Sequence, residues 1–189
     1  MTTGTTANGA ASAPNDRRRA SNIAVGLAAV VVSVVELAIM GRAVSPLVVA
    51  LGLVYALWAS RPAWRATRRT VLAYTAAFAV QSAHLVEEYR TGFYQAFPPV
   101  FGAEPWSSTR FLLFNLAWMV AFVVGGYGLA HERRWAYLIA LFLAIGGGVG
   151  NGLGHLVLVA MRGGYFPGAI TAVLVLAAGI VLLRELYRR

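Results

Sequence analysis

The chain of 189 residues is 59% hydrophobic and 12% charged, whereas soluble domains are about half apolar and about a quarter charged. Its sixteen basic residues are all arginine, and seven carboxylates leave a net charge of +9. The apolar runs are too long for a soluble nucleic-acid binder, so the arginines read first as topology markers. The absence of cysteine excludes disulfides, cysteine-held zinc or iron–sulfur centres and thiol catalysis.

These features predict an all-α integral membrane bundle. Residues 1–21, rich in Thr, Ala, Gly and Asn, read as a disordered tail. Asn22–Met40 is too long for a secretory signal core and is expected to be a retained first helix. With about 17–25 apolar residues needed per crossing, residues 22–189 divide into six spans: 22–41, 43–60, 69–89, 109–130, 135–161 and 166–185. Pro46 and Pro167 suit the first turns of the second and sixth spans, and Arg61-Pro62 stops the second.

Arginine placement supports this count. If the N-terminus is cytoplasmic, the inside segments hold Arg17–Arg19, Arg61, Arg65, Arg68, Arg69, Arg133, Arg134, Arg184, Arg188 and Arg189. The outside segments hold only Arg42, Arg90, Arg110 and Arg162. Twelve against four follows the positive-inside rule and predicts a multi-pass protein of the inner (plasma) membrane with both termini cytoplasmic. Trp64, Trp106 and Trp135 fall at span ends, where indoles favour the interface. Residues 90–108 (RTGFYQAFPPVFGAEPWSS) form the one sizeable loop. They are expected in the outer interface or folded over the bundle mouth as a lid. Tyr89, Phe93, Tyr94, Phe97 and Phe101 read as interface anchors.

Polar residues inside spans are expensive and ask for a partner or a purpose. Glu36, Gln81, His84, Glu87, Glu88, Asn115, Asn151 and His155 are the set. Counting from the span ends places Glu36, His84, Asn115 and His155 roughly 6–9 Å below the outer interface, with Asn151 a turn deeper. Four helices thus converge in one slab. His84 meets Glu87 at i+3 and Glu88 at i+4, so imidazole and carboxylate share a helix face, and Gln81 continues that stripe. Asn151 and His155 repeat the i, i+4 relation inside GGGVGNGLGH, whose glycines permit close helix approach or local unwinding.

His84-Leu85-Val86-Glu87-Glu88, followed by the aromatic, proline-containing loop, resembles a family of small multi-pass bacterial membrane proteins named for an HXXEE motif. Asn151 and His155 are similar to the same pattern in a late helix. The resemblance covers the chain from about residue 22 and implies site candidates without implying a reaction.

Three functional readings follow. His84, His155 and one of Glu87 or Glu88, with Glu88 favoured, make a two-histidine, one-carboxylate set suited to a divalent metal such as zinc or iron. Alternatively, Glu87 or Glu88 works without a metal as an acid or base beside His84 and His155. Asn115 and Asn151 would then orient the pair or hold a substrate hydroxyl, with Glu36 and Gln81 in support. Either chemistry suits a lipid-like or isoprenoid small molecule as partner, alongside the bilayer and without nucleic acid. The third reading is proton or cation transport, opposed by polar groups confined to one leaflet and by the lack of an inverted repeat. A purely structural polar cluster would also hold helices together. His131 and Glu132 read as solvated loop residues, Glu104 and Arg110 as loop charges, and Glu185 as a partner of Arg189 at i+4.

Overall fold

A computed structural model describes residues 12–61 and 63–188. They are helical, with no strand among them. Helix α1 is Ser12–Met40, followed by a 3-10 turn, Gly41–Val44, and by α2, Ser45–Ser60. Then come α3 (Arg68–Thr91), the short α4 (Phe93–Ala96), a 3-10 turn (Pro98–Phe101) and α5 (Ser108–Ala130). Helix α6 (Arg134–Phe142) runs through a π-helical segment, Leu143–Gly150, into α7 (Asn151–Arg162), and α8 is Ala169–Tyr187.

Helix α1 begins at Ser12, so residues 12–21 of the expected tail are helical; residues 1–11 of that tail lie outside the described residues. Two hydrogen bonds tie this end of α1 to α2. The Arg18 guanidinium donates to the Ala59 carbonyl at 3.3 Å, and the Tyr55 hydroxyl donates to the Asn22 carbonyl at 3.1 Å. The stretch of α1 around Arg18 and Asn22 is thereby held to the end of α2.

Four segments are long and apolar enough to cross a membrane: Arg18–Ser60, Ser108–Ala130, Arg134–Arg162 and Ala169–Tyr187. Arg18–Ser60 is not one rod. Gly41 takes φ +73°, a left-handed value that favours glycine, and the contacts between α1 and α2 show the chain doubling back. Helix α3 has 24 residues and a length of about 36 Å. Its Gln81, His84, Glu87, Glu88 and terminal arginines keep it out of the apolar set.

Hydrogen bonds sort the helix ends into two poles. At one pole Trp58 Nε1 donates to the Arg134 carbonyl at 2.8 Å, Arg134 reaches Asn22 Oδ1 at 2.8 Å, and Arg61 reaches the Leu186 carbonyl at 3.3 Å. Arg61 also lies over the rings of Trp64 and Tyr187. At the other pole Trp106 Nε1 donates to the Met40 carbonyl at 2.8 Å. Six rods (α1, α2, α3, α5, α6–α7 and α8) thus alternate in direction, with Arg18, Arg61 and Arg134 at a common end.

Local signals explain where the rods start. Thr67 and Thr70 form a reciprocal capping box at α3, and Ser107 accepts from the Arg110 amide at α5. The core has two parts. Trp58, Tyr74, Phe122, Leu129, Tyr137 and Leu182 pack toward the arginine-rich pole. Met40, Phe93, Trp106, Phe111 and Phe166 pack at the opposite one. Between them the glycine-rich run unwinds into the π segment, and a Cβ on Gly148 would collide with the backbone of Gly179 in α8. That close approach needs two glycines facing each other.

Three sequence expectations about single residues change. Trp106 is buried with its indole N–H on the Met40 carbonyl and is not an interface anchor. Phe93, Phe97 and Phe101 turn inward; their loop folds into α4 and a 3-10 turn, which points these rings at the bundle. Glu185 pairs with Arg188 at 3.0 Å, one residue short of the expected Arg189, which lies outside the described residues.

Candidate functional site

Helix α3 presents Gln81, His84 and Glu88 as one buried stripe, the face that i, i+3 and i+7 spacing produces. His84, Glu88 and His155 are respectively 0%, 5% and 1% exposed. Glu88 Oε1 lies 3.3 Å from His84 Nε2 and 3.1 Å from His155 Nε2. The two imidazoles sit edge to face, with ring centroids 4.8 Å apart and planes at 88°. Phe93 packs beside His155 at 5.2 Å between centroids. One carboxylate oxygen is therefore shared by two histidines from different helices. Among the described residues no arginine pairs with it.

Glu87 does something else. Its carboxylate accepts from the Ile170 amide at 3.0 Å, the Thr171 amide at 2.8 Å, the Thr171 hydroxyl and the Tyr165 hydroxyl at 2.9 Å. Helix α8 starts at Gly168 without a side-chain cap of its own, and the first amides of a helix lack intrahelical partners. Glu87 supplies the missing acceptor from another helix, and its negative charge suits the positive end of the helix dipole. It therefore stands apart from the acid–base group in which the sequence placed it. Neighbouring residues on a helix point about 100° apart, so Glu87 and Glu88 cannot share a target.

The cap reaches back into the histidine cluster. His84 Nδ1 lies 2.7 Å from Thr171 Oγ1. A threonine hydroxyl has one proton, and that proton is given to Glu87. His84 Nδ1–H must therefore donate to Thr171, which leaves its Nε2 as the atom facing Glu88. Glu87, Thr171 and His84 form a relay that fixes the imidazole's orientation and tautomer. Gly168 makes the approach possible: it takes φ +88°, and a Cβ there would meet the His155 ring and Glu88 Cγ.

Glu88 and His155 border a cavity of about 510 Å³. Its other polar lining residues are Gln81, Asn115 and Asn151, while Phe93, Phe97, Trp106, Phe111, Trp118 and Phe122 supply aromatic wall. Asn115 Nδ2 is tied to the Phe111 carbonyl at 2.9 Å, which leaves its amide oxygen for the cavity. Gln81 Oε1 is buried without a partner. Glu36 is not part of the lining. It accepts from Trp118 Nε1 at 2.7 Å and so holds one wall, while its Oε2 is buried and unpartnered.

Of the eight polar residues singled out in the sequence, three form the buried triad. Three more line the cavity, Glu36 braces its wall, and Glu87 caps α8. Thr171, Tyr165 and Trp118 were missed. Ala169-Ile170-Thr171 following Gly168 contains no Ser, Asp or Asn to cap the helix, which signals an acceptor from elsewhere. A tryptophan in an apolar span with few acceptors was the clue to Glu36.

No curated protein and no solved structure matches this chain. Residues 74–182 match the family described as "Protein of unknown function with HXXEE motif". That region contains the stripe on α3, the π segment, His155 and the capped start of α8. The match spans more than half of the chain, and its motif is His84, Glu87 and Glu88: the protein belongs to the HXXEE family.

Proposed function

We propose that the chain is a multi-pass enzyme of the inner (plasma) membrane that acts on a lipid-like or isoprenoid-type small molecule. In this reading the six rods are six crossings. Both termini and the arginine-rich pole face the cytoplasm, and the cavity opens in the outer half beneath the 92–107 segment. The apolar exterior supports lipid contact: Leu27, Leu113 and Ile170 are exposed, and large contiguous apolar surfaces are not left to water.

One observation carries the enzymatic reading. Glu88, held between two histidines, is an ionisable group at the wall of a cavity otherwise lined mostly by apolar residues, nine of them aromatic. The volume falls within the roughly 300–1,000 Å³ of small-molecule sites. A carboxyl at such a wall can deliver or accept a proton, and aromatic faces stabilise developing positive charge. Isomerisation or cyclisation of an alkene or epoxide fits that environment. Asn151, Asn115 and Gln81 are placed to hold a hydroxyl or headgroup. Transport fits less well, because Trp58, Leu129, Tyr137 and Leu141 close the bundle between the cavity and the arginine-rich pole.

The test is conversion of the copurified molecule by wild type and by Glu88→Gln, followed by liquid chromatography and mass spectrometry. Turnover that depends on Glu88 supports the reading. Equal behaviour of a folded Glu88→Gln variant would remove it.

A further inference from the structure

The geometry points to a divalent-cation site, of the zinc class, formed by His84 Nε2, His155 Nε2 and Glu88 Oε1 and positioned by Thr171 and Glu87. These three ligand atoms come from two helices and lie within 4.8 Å of one another. A tetrahedral zinc ion, with bonds of about 2.0–2.1 Å, separates its ligand atoms by about 3.3 Å. The two carboxylate–imidazole edges measure 3.3 and 3.1 Å. The full set spans up to 4.8 Å, so the two imidazoles must draw together by side-chain adjustment for all three atoms to reach one ion.

The hydrogen-bond pattern argues the same way. With Nδ1–H committed to Thr171, the remaining His84 nitrogen has no hydrogen-bond partner although the ring is fully buried. In the neutral ring it aims a lone pair at the lone pairs of Glu88. His155 brings a second nitrogen to the same oxygen. A buried carboxylate needs a compensating charge, and among the described residues no arginine provides it. A single cation between the three atoms would give the His84 nitrogen a partner and the carboxylate a compensating charge.

On the His84 side the surroundings have the form of a metal centre's outer shell, whereas His155 Nδ1 is buried without a partner among the described residues. Metal-bound histidines usually donate their other N–H to a carboxylate, carbonyl or water, which fixes the ring and raises its basicity. Here the Thr171 hydroxyl takes that N–H and is itself held by Glu87. Glu88 and His155 border the cavity, so an ion held here would keep a fourth position open toward it, as in catalytic zinc sites. The HXXEE motif thus divides its labour: His84 and Glu88 are ligands, and Glu87 is a positioning residue. As an electrophile for the chemistry above, the ion rests on the enzyme reading; as a binding site it does not.

The experiment uses the full chain in detergent, carrying an affinity tag free of histidine. Equilibrated with zinc and desalted, the wild type is expected to retain about one ion per chain by elemental analysis. His84→Ala and His155→Ala are expected to lose it. Thr171→Val should weaken zinc binding by about 10- to 100-fold, with Thr171→Ser restoring it. If the alanine variants fail to fold, cobalt substitution of the wild type decides: intense tetrahedral visible bands support the site, and a spectrum of solvated cobalt overturns it. Absence of retained zinc, or unchanged zinc in folded His84→Ala and His155→Ala, also overturns it. A copurified lipid-like molecule without metal would sink this inference and leave metal-free acid–base chemistry standing. Metal without any such molecule would do the reverse.

Discussion

Glu88 Oε1 lies 3.1 Å from Nε2 of His155, a residue 67 positions away on another helix, while the adjacent Glu87 binds the start of α8. The two carboxylates of one motif therefore have different tasks. Glu87 joins α3 to α8 and orients His84 through Thr171. Glu88 faces the histidines and the cavity. This division yields several distinguishable outcomes.

Removing the cap should mainly affect stability. Glu87→Ala strips four donors of their acceptor, and hydrogen bonds to a charged group contribute about 1.5–3 kcal/mol each. Its loss should lower the midpoint of thermal unfolding in detergent well below that of Glu88→Gln. Equal midpoints for the two variants would contradict the division of roles.

Gly168→Ala tests how closely α8 abuts the cluster. The substitution places a Cβ in a left-handed conformation and against the His155 ring. We expect a destabilisation of about 1–3 kcal/mol from backbone strain. A shift of the His155 imidazole resonances should accompany it. A variant with wild-type stability and unshifted resonances would show that the contact does not constrain the site.

Glu36 and Trp118 should behave as a coupled pair. Trp118→Phe leaves the Glu36 carboxylate buried without its one donor, at a cost of about 1–3 kcal/mol. Replacing both partners, Trp118→Phe with Glu36→Leu, should recover much of that loss. A double-mutant cycle on thermal stability reads the coupling; additive effects would mean that Glu36 does not brace the cavity wall.

The cavity can be filled without disturbing the fold. A Cβ on Gly154 meets nothing within 4 Å, and Gly154 lines the cavity. Gly154→Ala should raise stability by up to about 1 kcal/mol through helix propensity. Gly154→Leu should stay folded while holding less of any copurified molecule. Undiminished occupancy in Gly154→Leu would place the ligand elsewhere.

Much of this arrangement was legible in the residues. The i, i+4 spacing brought His84 and Glu88 to one face, and the span ends put His155 at their depth. The glycine run allowed close helix approach or local unwinding, and the structure has both, in the π segment and at Gly148–Gly179. Periodicity could not separate Glu87 from Glu88, because neighbouring carboxylates differ only in what the adjacent helix presents. That helix presents an uncapped N-terminus, a tertiary fact. For 90–108 the sequence leaves an outer-interface segment and a lid both open, and reads its rings as anchors, because aromatic, proline-containing segments look alike at an interface and over a cavity. Only the packing of Phe93, Phe97 and Trp106 against the bundle decides between them.

The most direct measurement of the central claim is mass spectrometry of the small molecules that leave the membrane with the protein. The account predicts a lipid-like molecule retained by wild type near one per chain, depleted in Gly154→Leu, and chemically altered on incubation only while Glu88 is present. A folded wild type that retains no such molecule from its native membrane would contradict it.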